Sequence, residues 1–192
     1  MTVKRPDASL TAGRAPEAGK PRPLLRRFLI PAPLVTLICF AKFGARVSPR
    51  AEVELGPELF LGRGVNISSF CKVKVGGPLR IGPDTHIATG SFIDATEAGL
   101  EIGENCLIGP HNVILTSSYH YARTGVPLRL QGHHFEPTRI GRNVFLGAHC
   151  VVLAGTVIED DVIVAAHSVV SGRVPAGTVV SGNPARPVFR RR

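Results

Sequence analysis

The feature that most constrains this chain is an apolar residue that returns every six positions. From Leu55 the steps run to Leu61, Ile67 and Val73; after a slip of two residues they reach Ile81, Ile87 and Ile93; after a slip of three, Ile102, Ile108 and Ile114. Beyond a step of 26 come Ile140, Leu146, Val152, Ile158, Val164, Val170 and Ala176. Sixteen of these seventeen positions are Leu, Ile or Val, and a Gly often follows. Neither the helical period nor simple alternation produces this spacing. A period of six fits a triangular coil with one short strand per side, the apolar residue inward and a small residue easing the corner. Three repeats close a coil of about eighteen residues. Stacking at about 4.8 Å then gives a prism roughly 27 Å long. The expected fold is all-β: a left-handed parallel β-helix over residues 51–184, with a long protruding loop at 117–138.

Composition agrees: of 192 residues 21 are Gly and 16 Pro, and Trp is absent, which suits short strands and tight turns. The residue four after each anchor is often small, as at Val65, Cys71, Thr85, Ser91, Cys106, Ser118, Val144, Cys150, Thr156, Val162, Ser168 and Val174. Three of the four cysteines fall there, and none shows CxxC spacing, so they read as small buried hydrophobes in a reducing cytoplasm. The net charge of +9 is uneven: residues 1–50 hold ten Lys/Arg against two Asp/Glu. A nucleic-acid binder would carry its charge as a stripe on the folded body, so nucleic acid is not expected. Residues 1–23 read as a disordered basic tail. Residues 24–50 read as an apolar and basic segment, with a short helix over Leu34–Phe43 that either caps the first coil or, through 24–46, contacts a membrane surface. Residues 185–192 read as a basic C-terminal tail. No apolar run is long enough to span a bilayer.

The long step singles out SSYHYARTGVPLRLQGHHFEPT, which holds His120, His133, His134, Arg123, Arg129 and Glu136. A loop of this length in a compact body is commonly functional. Three further histidines, His111, His149 and His167, each lie three residues after an anchor, on anchors nine, twelve and fifteen. They should therefore stack one coil apart along one corner. Stacked side chains point the same way rather than converging on a metal, so no metal is expected.

The segment IGENCLIGPHNVILTSSYH, followed by FEPTRIGRNVFLGAHCVVLAGTVIEDDVIVAAHSVVSGRVPAGTVVSGNPARPV, resembles the hexapeptide-repeat O-acetyltransferases, including the maltose, galactoside and polysaccharide-pathway enzymes. The resemblance implies a cytoplasmic homotrimer that binds acetyl-CoA between neighbouring prisms and acetylates a sugar hydroxyl in surface-polysaccharide or glycolipid synthesis. It assigns the general base to the loop histidine, here His120. Imidazole, with an ordinary pKa of about 6.5, can take a hydroxyl proton near neutrality. It places Ala148, Ala166, Ser171 and Arg186 against CoA, and His111 and Asn112 against the acceptor. Phe145 stands where relatives have Trp, and His167 where they have Gly. An amino-sugar N-acetyltransferase, a metal enzyme like the γ-class carbonic anhydrases, and a non-catalytic β-helix trimer remain as alternatives.

Overall fold

The structure, a computed structural model, describes residues 30–191. The expected basic tail, the start of segment 24–50 and Arg192 lie outside the described residues. Short strands build three parallel sheets that wrap one core. The first side takes Arg46–Val47, Asn66–Ile67, His86–Ile87, Leu107–Ile108, Phe145–Leu146, Ile163–Val164 and Thr178–Gly182. The second takes Glu52–Val53, Lys72–Val75, Phe92–Ala95, Val113–Leu115, Val151–Val152 and Val169–Val170. The third takes Leu59–Leu61, Leu79–Ile81, Leu100–Ile102, Thr138–Ile140, Val157–Ile158 and Arg173–Val174. Six coils and a seventh strand on the first side form a left-handed parallel β-helix.

The six-residue anchors are its inner wall. Ile67 pairs with Ile87, Ile87 with Ile108, Ile108 with Leu146 and Leu146 with Val164. All five are at most 1% exposed, and removing each from water contributes roughly 1.5–3 kcal/mol. Some glycines after the anchors answer to close approach rather than to an unusual dihedral. A Cβ on Gly82 would stand 2.5 Å from the carbonyl carbon of Gly103, and one on Gly103 the same distance from that of Gly141.

The ends depart from the expected register. Val47 and Val53 fill the first coil, whereas Leu55 is only partly buried. At the far end Val174 pairs into the stack opposite Ile158, and Ala176 is exposed. The last corner is shortened to Ser171–Gly172, so the strand arrives two residues early. Ser118 is exposed in the loop, and Thr116 is the last fully buried residue before it. Residues Ala185–Arg190, expected in the tail, instead pair antiparallel with Thr178–Gly182.

At the small-residue position, side chains tie coils together. The thiols of Cys71, Cys106 and Cys150 donate to the carbonyls of Ala88, Gly141 and Ala165 at 3.1, 3.0 and 3.2 Å. Thr85 and Ser91 do the same to Gly103 and Gly109 at 2.7 and 3.2 Å. Burial pushes all four thiols above their ordinary pKa, so thiolate chemistry is suppressed. The helix Ala32–Phe43 carries Pro33 in its first turn, where a missing N–H costs little. It ends on Gly44 at φ +66°. Val35 and Cys39 join the core, while Leu34, Leu37 and Phe40 face outward.

Candidate active site

Two corners of the prism carry the residues of interest. The corner between the first and second sides holds His111, His149 and His167, at φ +57°, +58° and +61°. Each backbone N–H bonds to the coil below, at Thr89, Pro110 and Ala148. Their rings stack at 5.0 and 5.1 Å with interplanar angles of 12° and 8°. Left-handed backbone favours Gly, Asn, Asp and His. The third-to-first corner meets the same demand with Gly64, Asp84, Asn105, Asn143 and Asp161. Histidine therefore satisfies a backbone requirement here, and its exposed ring is left over for other use. Gly90 precedes the stack, and a Cβ there would collide with the His111 ring.

Ala148 and Ala166 sit on this same ridge, the first partly buried and the second exposed. Arg186 is exposed opposite Ser181, near the turn that continues the ridge, where the Gly182 N–H bonds to Ser168 Oγ at 3.1 Å. Two expected residues do not join them. Asn112 is 0% exposed: its amide donates to the Gly109 carbonyl at 2.8 Å and accepts from the Cys150 N–H at 2.7 Å. It occupies the inward small-residue position four after Ile108, so its side chain is a coil-to-coil link with no reach to a substrate. Ser171 lies on the next corner, across the strand Val169–Val170.

That second-to-third corner takes both slips and the long loop. The loop's root is a buried threonine cluster: Thr116 Oγ1 donates to the Asp94 carbonyl at 2.9 Å and accepts the Thr96 N–H at 2.7 Å. Thr138 Oγ1 donates to the Leu115 carbonyl at 2.8 Å. From this root Ser117–Tyr119 and His133–Phe135 form an antiparallel hairpin. Alternation sorts its side chains onto two faces. One is aromatic, with Tyr119 and His133 centroids 4.2 Å apart and His133 and Phe135 5.8 Å apart. The other carries Ser118, His120 and His134, the two imidazoles 5.5 Å apart. His134 Nε2 lies 2.7 Å from Glu136 Oε1. The tip is closed by buried Gln131, whose amide bonds to the Arg123 backbone and the Val126 carbonyl.

The pairing of His134 with Glu136 was not legible in the sequence, because the carboxylate takes its place between the hairpin and Gly155, nineteen residues further on. Glu136 lies over Gly155, where any Cβ would collide with the carboxylate. Chemically, the loop corner offers exposed imidazoles backed by a carboxylate, which suits proton transfer. The ridge offers an exposed strip of parallel rings and small residues ending near a guanidinium. Among the described residues no group of three His, Cys, Asp or Glu is arranged to hold a metal ion.

Residues 137–172 match the family described as bacterial transferase hexapeptide (six repeats). The galactoside O-acetyltransferase of Escherichia coli is 36% identical over 88 residues, which is 45% of this chain and 42% of that protein. The chain spans about half the length of the curated relatives it matches. Among solved structures, an N-acyltransferase from Bacillus cereus in complex with dTDP and coenzyme A superposes with a TM-score of 0.72 at 20% identity, covering 81% of this chain and 88% of that one. A hexapeptide-repeat acetyltransferase from Vibrio cholerae complexed with acetyl-CoA gives 0.57 at 24%, covering 86% and 80%. At these identities the likeness is one of fold.

Proposed function

We propose that this chain, a hexapeptide-repeat protein similar to acetyltransferases, moves an acetyl group from acetyl-CoA to a sugar hydroxyl, with His120 as general base. The observation that carries this reading is the loop: a single long break in the coil presents imidazoles at one corner of a prism whose relatives are named as acetyltransferases. His120 accepts the hydroxyl proton as the oxygen attacks the thioester carbonyl. The tetrahedral intermediate collapses, the C–S bond breaks, and the imidazolium returns its proton to the departing thiolate. No enzyme nucleophile is required, because holding the two substrates together supplies the rate advantage.

The site is assembled from two copies in this proposal. In one protomer the loop and the histidine ridge lie on different corners, with the second side between them. Acetyl-CoA lying along Ala148 and Ala166 of one prism, its phosphates near Arg186, would meet the loop of a neighbour in a homotrimer. His111, at the coil from which the loop departs, is placed at the acceptor end. Ser171, on the loop corner, is left without a ridge contact.

The test is turnover of acetyl-CoA with a panel of sugar acceptors, following thiol release. His120→Ala should lower kcat by about 10²–10⁴; an unchanged kcat would remove His120 as the base. The likeness in fold to an N-acyltransferase supports a second reading, an amino-sugar acceptor. Mild alkali separates the two, since it cleaves an ester product and leaves an amide. Among the described residues no helix is long and apolar enough to cross a membrane. The outward Leu34, Leu37 and Phe40, with Lys42, Arg46 and Arg50 close by in the chain, support peripheral contact with a membrane that carries the acceptor. Co-sedimentation with anionic but not neutral vesicles would bear this out, and equal sedimentation with neither would refute it.

A further inference from the structure

The two loop imidazoles are not equivalent. His120 contacts its neighbour ring to ring, while His134 has a carboxylate partner at hydrogen-bond distance. A base held by a third group is the arrangement that fixes tautomer and ring orientation. Building on the acetyltransferase reading, we propose that Glu136 is a positioning residue that locks His134 with its proton on Nε2, leaving Nδ1 bare as a second proton-accepting nitrogen beside His120.

Three separate observations converge on this assignment. Glu136 Oε1 lies 2.7 Å from His134 Nε2, a distance that favours the tautomer with the hydrogen on Nε2. The Glu136 backbone is pinned by its N–H to the Thr116 carbonyl at 3.0 Å, at the rigid root of the loop. Gly155, at φ +74° on the next coil, leaves the carboxylate its present place, since a Cβ there would stand 1.9 Å from Glu136 Oε2. The charge of Glu136 then stabilises the imidazolium formed when His134 accepts a proton. His120 lies beside His134, and Ser118 is on the same face of the hairpin. The nearby Asp94 is engaged with Lys74 at 3.4 Å and does not reach the histidines by any hydrogen bond in the structure.

The experiment uses the full-length chain labelled with 15N-histidine, with His134→Gln to identify the His134 signals. Wild-type protein should show His134 as the Nε2–H tautomer, and Glu136→Ala should show both tautomers in exchange. The same variant should lose at least about tenfold in kcat, with KM for acetyl-CoA within about twofold. Glu136→Gln, whose carboxamide oxygen still accepts from Nε2, should keep the tautomer and recover part of kcat. Gly155→Ala should reproduce Glu136→Ala by pushing the carboxylate away. A purely structural role for Glu136 would lower thermal stability in both Glu136 variants and leave the tautomer alone. An unchanged tautomer in Glu136→Ala, or unchanged kcat in an active wild-type background, overturns the proposal. Absence of turnover by wild-type protein with every acceptor sinks the acetyltransferase reading instead, and the tautomer measurement still decides whether Glu136 holds His134.

Discussion

At the scale of single residues, the same side-chain type does different work according to its position on the coil. Histidines at 111, 149 and 167 meet a left-handed backbone requirement, whereas those at 120 and 134 stand on a hairpin free of that constraint. Asn112 is the clearest reassignment. Its residue type and its neighbour His111 suggest acceptor binding, yet its amide closes two hydrogen bonds inside the prism. Asn112→Ala should therefore lower stability by about 1–3 kcal/mol by leaving the buried Cys150 N–H unpaired. Urea unfolding measures this, and the folded variant should retain the wild-type KM for acceptor. A raised KM with unchanged stability would restore the binding role.

At the scale of elements, corners rather than strands distinguish one part of the molecule from another. Strands of two to four residues are nearly interchangeable, with one or two inward apolar residues each. The corners carry the slips and the loop. On the third side, Glu159 accepts from the Ala176 N–H at 2.9 Å and from Arg173 Nε at 2.8 Å. The Ala176 N–H first, then Arg173, holds its carboxyl below the ordinary carboxylate range. A lowered folded-state pKa stabilises the protein above the unfolded value of about 4.3, and that stability is lost as pH falls through the folded value. Glu159→Gln should thus be less stable than wild type at pH 7, with the difference shrinking below about pH 4. Thermal melts across this range check it, and a pH-independent difference would refute the linkage.

At the scale of the whole molecule, the outward residues divide the prism. The third side presents Arg80, Glu101, Arg139 and Arg173 to solvent, with Arg139 and Glu101 3.6 Å apart. Beside the ridge, the first side presents Leu107, Phe145, Ile163 and Val179, and the second Phe92, Val113, Val151 and Val169. Leu107 and Phe145 are 54% and 43% exposed in the single chain, more apolar surface than a solvated side needs. These flanks are where neighbours pack in the proposed trimer. Phe145→Glu should shift the mass measured by light scattering from three chains toward one. Activity should fall with it, because the ridge and loop of different copies would separate. A monomeric wild-type protein that turns over normally would refute the shared site.

The sequence by itself determined the coil. A six-residue period admits one way of burying an apolar residue per short strand, so the anchors from Leu61 to Val170 could be placed by counting. The same count stacked three histidines on one corner and located the loop as the interruption. Register failed at the ends, at Leu55 and Ala176, where no neighbouring coil enforces the period, and at Ser118, where the chain leaves the coil for the loop. Tertiary structure decided which residues are free to act. The fate of Asn112 depended on carbonyls and N–H groups supplied by adjacent coils, and the place of the Glu136 carboxylate on the absence of a side chain at Gly155. The separation of loop from ridge depended on which of three corners each occupies. Such contacts join residues brought together by stacking, and a one-dimensional period carries position along the coil but not the hydrogen bonds and clearances between one coil and the next.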